Sequence, residues 1–126
     1  MQFEQADDIV IWVKKLVDKL KMSHIVIGQI ACVRSRGSVA RAYARIWGLP
    51  RIFQLAFGYK AVYVIEAISE HYDKLDREDK IKTLIHELLH IPKTFSGALL
   101  SHKGKNRRIN HAQVNQLYKR LQSVSD

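Results

Sequence analysis

DREDKIKTLIHELLHIP, residues 76–92, is the stretch on which the reading of this chain turns. Ile81, Leu84, Ile85 and Leu88 recur at the spacing that lays apolar side chains along one face of a helix. Asp76 stands just ahead of that run, where a carboxylate caps the free amides of a first turn, and Asp79 three residues on makes a variant of the capping box. Pro92 ends the run, because its ring cannot continue a helix. The stretch predicts a capped helix that turns its apolar face into a core.

Within that helix, His86-Glu87-Leu88-Leu89-His90 matches H-E-x-x-H. Residues four apart stack on one face of a helix, so both imidazoles can reach one zinc ion. Glu87 lies next to that face, within reach of a water on the metal. Zinc lowers the pKa of such a water to about 7, and the carboxylate takes its proton as the hydroxide attacks a carbonyl. The same carboxyl then hands the proton to the leaving amine. The motif therefore points to zinc-dependent hydrolysis of peptide bonds, with Glu87 as general base and His86 and His90 as ligands.

A catalytic zinc site takes three protein ligands and keeps one open position. After Glu87 the chain has no Glu, and its only Asp is Asp126. Classes that draw the third ligand from a later carboxylate are thereby set aside. The residue six after His90 is Ser96 and no Met follows Met22, so the close-spaced third histidine and the Met-turn of another class are absent. Cys32 is the only cysteine; it offers no internal disulfide and no cysteine-rich site, and it reads as a buried filler. The third ligand is then a histidine. His102 is favoured, twelve residues past His90 on a loop that carries Gly97 and Gly104. His111 is the runner-up, beside Val114 on a following helix. His24 and His71 read as structural. Tyr63, Tyr72, Tyr118, Arg107 and Lys103 are candidate donors to an oxyanion. Glu66, Glu70 and Asp73 are candidate acceptors for the ligand imidazoles.

Outward from this centre, Ile9, Val10, Val13, Leu16, Val17 and Leu20 fall on one face of an N-terminal helix. Asp7 and Asp8 lie at its start and lysines near its end, as the helix dipole prefers. His24 to Val33 and Ala61 to Ile68 are rich in Ile and Val and read as strands, the latter with an edge that an extended peptide could join. Arg34 to Ser38 reads as a loop. Ala40 to Trp47 is ambiguous, with strand favoured. Pro50 and Gly58 bracket a short helix over Arg51 to Phe57, and Ser69 to Leu75 reads as a helical turn. Residues 92–106 read as a loop, followed by a last helix from Arg107 to Val124. The fold class is α+β: a minimal zincin-like domain with an N-terminal helix, a small sheet, the H-E-x-x-H helix and a C-terminal helix. With 126 residues and no repeat or linker, the expectation is one domain, 1–126.

Hydrophobic residues make up 47% of the chain, which suits a globular core. No apolar run reaches the roughly 18–20 residues of a membrane span, and the start lacks the basic and apolar regions of a signal peptide. The expectation is a cytoplasmic protein with no membrane partner. The net charge is +9 and unevenly spread. Lys19 to Ile65 carries eight basic residues and no acid, and Leu88 to Ser125 carries seven and no acid. Seven of the twelve acids fall between Glu66 and Glu87. Arg34, Arg36, Arg41, Arg45, Arg51 and the tail from Lys103 to Arg108 therefore support a second reading, a basic protein that binds nucleic acid, by itself or as a peptidase acting on DNA-bound proteins. A third reading is a metal-binding domain without catalysis.

Tyr63-Val64-Ile65-Glu66, Leu75, the run from Leu84 to Pro92, Phe95-Ser96-Gly97 and Ser101-His102 together resemble a family of small predicted metallopeptidases from archaea and tailed phages. The chain is similar, more distantly, to SprT-like peptidases. The resemblance spans nearly the whole chain and is specific from Ala61 to His102. It implies zinc at His86 and His90, Glu87 as catalytic base and His102 as third ligand. The zinc ribbon that often follows an SprT-like core is missing here, since there is one Cys.

Overall fold

The computed structural model of the chain describes residues 1–101 and 109–124. Ten short elements follow one another: β1 (Gln2–Gln5), α1 (Asp7–Lys19), a 3-10 turn (Ile27–Gln29), β2 (Ile30–Arg36), β3 (Ala44–Gly48), α2 (Arg51–Phe57), β4 (Tyr63–Ile68), α3 (Ser69–Tyr72), α4 (Arg77–Leu89) and α5 (His111–Ser123). The class is α+β, as the sequence implied.

The four strands form one sheet in the order β1-β2-β4-β3. The central pair, β2 and β4, runs parallel, with Cys32 beside Ile65. Each edge strand is antiparallel to its neighbour. Alternation along the strands sends Ile30, Cys32, Tyr63, Ile65 and Ala67 into a core shared with Ile9, Val13 and Leu16 of α1 and Ile81, Leu84, Ile85 and Leu88 of α4. These α4 residues are the apolar face read from the sequence, and all are buried. The Asp76 carboxylate accepts the Asp79 amide at 2.8 Å, so the expected N-cap is in place. Burial pushes the Cys32 thiol up to about 12, which fits a filler and not a nucleophile.

Several boundaries move. The Ile- and Val-rich run from His24 to Val33 is a strand only from Ile30, and β2 continues to Arg36 through residues read as loop. Ion pairs explain the extension. Arg34 donates to Asp8 (2.6 Å) and Asp73 (3.2 Å), and Arg36 to Glu4 across the β1 pairing (2.9 Å). The Arg34 pair also holds the Asp8 carboxyl below its ordinary value. β4 lies between β2 and β3, so it offers no free edge to a peptide; the edge strand on that side is β3. Helix α5 starts at His111, where the Asn110 side chain caps it by accepting the Gln113 amide (2.9 Å); the start expected at Arg107 lies outside the described residues. Among the described residues no helix is long and apolar enough to cross a membrane.

Candidate active site

A cleft of about 900 Å³ opens where α4, β3 and α5 meet. Asp79, Lys82, Thr83, His86, Glu87 and His90 line it along α4, spaced by three or four residues as one helix face requires. Residues 42–46 form a second wall and His111, Val114 and Asn115 a third, with Leu99, Leu100 and Ser101 closing the end. Every described residue of the motif's chemistry thus meets in one cavity.

The imidazoles of His86 and His90 stand edge to face with centroids 5.1 Å apart. His90 is buried, and its Nδ1 lies 2.6 Å from the Leu100 carbonyl oxygen. A carbonyl only accepts, so Nδ1 carries the proton on that side of the ring. The Leu100 amide returns a bond of 2.7 Å to the His90 carbonyl, which ties this loop to the end of α4. Glu87 is 6% exposed at the cleft wall, and burial alone pushes its carboxyl up to about 8. Two imidazoles one helical turn apart, with a buried carboxyl beside them, are chemistry that suits a divalent cation. Cation charge would offset the burial that disfavours the ionised form. Among the described residues, however, no group of three His, Cys, Asp or Glu is close enough to hold a metal. His111 lines the cleft without completing such a group. His102, Lys103 and Arg107 lie outside the described residues.

The loop that leads into the cleft is clamped from below. Tyr63 accepts the Gly97 amide (2.8 Å) and donates to the Ala98 carbonyl (2.8 Å). Gln54, buried in α2, donates to the carbonyls of Leu49 and Ser96, each at 2.8 Å. Gly97 has φ +93°, and a Cβ there would collide with the Leu49 carbonyl; a Cβ on Gly48 would collide with the Gly97 carbonyl. Two backbones cross here at a distance only glycine permits.

The family model described as "Putative phage metallopeptidase" matches residues 1–122. The chain belongs to this phage metallopeptidase family. Membership implies a metal cofactor and a protein or peptide substrate, in keeping with the resemblance carried by the residues around His86 and His90. No curated protein and no solved structure matches the chain at a significant level.

Other sequence candidates fall away from the cleft. Glu66 lies on the opposite face of the sheet, accepting from Arg45 (2.8 Å) and Trp47 (2.9 Å). Burial alone would raise its carboxyl, and those bonds hold it below its ordinary value. Glu70 accepts the Gly37 amide and Asp73 pairs with Arg34, so these carboxylates are engaged elsewhere; the His90 imidazole meets the Leu100 carbonyl, a backbone group. Tyr63 serves the loop. Tyr72 is a core residue whose hydroxyl burial pushes up to about 12. Tyr118 packs under the Lys82 ammonium. His71 meets the Ala40 carbonyl, and neither it nor His24 lines the cleft. Tyr43, Lys82 and Asn115, which do line it, were missed. For Lys82 the signal was available: it lies four residues before His86, on the same helix face.

Proposed function

We propose that this chain is a zinc-dependent peptidase in which His86, His90 and His102 hold the ion and Glu87 is the general base. The observation that carries the reading is the convergence of His86, Glu87 and His90 on one cleft, with the His90 imidazole oriented by the Leu100 carbonyl. Ser101 and His111 both line the cleft; the choice of His102 as third ligand follows the family resemblance carried by Ser101-His102. Bound zinc would polarise the scissile carbonyl and make an attacking water acidic. Glu87, buried at the wall, takes that water's proton on its carboxylate and delivers it to the leaving amine. The low-dielectric setting that raises the Glu87 carboxyl also strengthens its pull on that proton. The outer edge of β3 lines the cleft and can take an extended peptide as an added strand, the role read at first onto residues 61–68. On this reading residues 1–126 form one metallopeptidase unit.

The nucleic-acid reading loses ground to the fold. Of the five arginines it used, Arg34, Arg36 and Arg45 are committed to carboxylates within the chain. A Glu87→Gln variant separates the peptidase from a metal-binding domain without catalysis. It should bind zinc like the wild type while hydrolysis of an unfolded protein substrate falls by a factor on the order of 10² to 10⁴. Equal hydrolysis by both would remove Glu87 from the mechanism.

A further inference from the structure

Helix α2, sequence RIFQLAF, is built inside out. Its one buried residue is the polar Gln54. Ile52, Phe53, Leu55 and Phe57, with Tyr59 just beyond, are 48% to 72% exposed. At 100° per residue, Ile52 and Ala56 lie opposite Gln54, with Phe53 and Leu55 on either side of them, so the outward face is apolar. The rings of Phe53 and Phe57 stack at 6.4 Å and those of Phe57 and Tyr59 at 5.6 Å, making a convex apolar ridge. Nothing in the packing of the described residues requires this, and a contiguous exposed apolar patch marks an interaction surface.

We propose that the outer face of α2 is a docking surface for an anionic lipid bilayer. Charge selects the occupant. Arg51 and Lys60 flank the ridge, and no acid lies between Lys19 and Ile65; Arg34, Arg36 and Arg45 of that segment are paired elsewhere, so the local positive charge rests on the residues nearest the ridge. A second copy of the chain would set these like charges against each other across the contact. Single-stranded nucleic acid would use the rings, but it would leave Ile52 and Leu55, among the most exposed apolar residues of the ridge, in water. A bilayer takes aliphatic and aromatic side chains together into its acyl boundary and keeps flanking Lys and Arg at the headgroups. This departs from the expectation of no membrane partner, which rested on the lack of a spanning segment; a peripheral surface needs none. It stands on the burial and charge of α2, independently of the chemistry in the cleft.

The test is co-sedimentation of the full chain with vesicles of phosphatidylcholine alone and of phosphatidylcholine mixed with phosphatidylglycerol. Binding should require the anionic lipid and weaken with salt. Ile52→Ser with Leu55→Ser should cut partitioning by about tenfold or more, at an unchanged melting temperature. Arg51→Gln with Lys60→Gln should weaken binding and flatten its salt dependence. A polarity-sensitive fluorophore on Ile52→Cys should shift to the blue on anionic vesicles. Equal binding by the Ile52/Leu55 variant would mean diffuse attraction by net charge and would overturn the proposal. So would no binding to anionic vesicles, a dimer that the same pair of substitutions dissolves, or single-stranded DNA binding lost with them.

Discussion

Helix α4 turns Ile81, Leu84, Ile85 and Leu88 into the core and shows its polar groups to a cleft; α2 turns Gln54 inward and shows Ile52 and Leu55 to solvent. Both frame the loop that runs from Pro92 to Ser101, one through the His90 and Leu100 backbone and the other through Gln54 and Ser96. The difference teaches that the two helices answer to different demands. Hydrophobic burial builds α4, so its stability and its chemistry share one element. Two side-chain hydrogen bonds anchor α2, and its apolar residues are free to serve something outside the chain.

That contrast can be broken by mutation. The largest effect on stability should come from Leu84→Ala in α4, which empties part of a fully packed core and should cost about 2–5 kcal/mol in denaturant unfolding. A loss under 1 kcal/mol would mean that α4 is not seated as described. Gln54→Leu in α2 keeps the volume but orphans the carbonyls of Leu49 and Ser96, and should cost about 1–3 kcal/mol. It should also reduce hydrolysis, because the loop it holds leads to the cleft; a variant as stable as wild type would show that the clamp contributes nothing. The smallest effect belongs to Ile52→Ser, which should stay within about 0.5 kcal/mol of wild type. A large loss there would place Ile52 in the core and undo the contrast itself.

How legible all this was in the sequence follows the same division. Helices α1 and α4 could be read because burial imposes a period on their residues. The bounds of α2 could be read from Pro50 and Gly58, but its inverted burial could not, since Gln54 is one polar letter until Leu49 and Ser96 are brought to it. Strand β1 was missed because all four residues are exposed and show no alternation. The end of β2 was missed because Arg34 and Arg36 look like loop residues until Asp8, Asp73 and Glu4 are folded against them. In the candidate site, the shared cleft-facing position of His86, Glu87 and His90 was legible from their spacing on one helix. The walls supplied by β3 and α5, and the Leu100 carbonyl behind His90, depend on tertiary placement and on backbone atoms that carry no sequence signal.

Metal analysis of purified protein, wild type beside His86→Ala, His102→Ala and His111→Ala, tests the zinc site proposed at His86, His90 and His102. About one zinc per chain is expected in wild type and in the His111 variant, with loss of the metal in the other two. A wild type that stays metal-free when zinc is supplied, or a site that survives His102→Ala and is lost in His111→Ala, would contradict it.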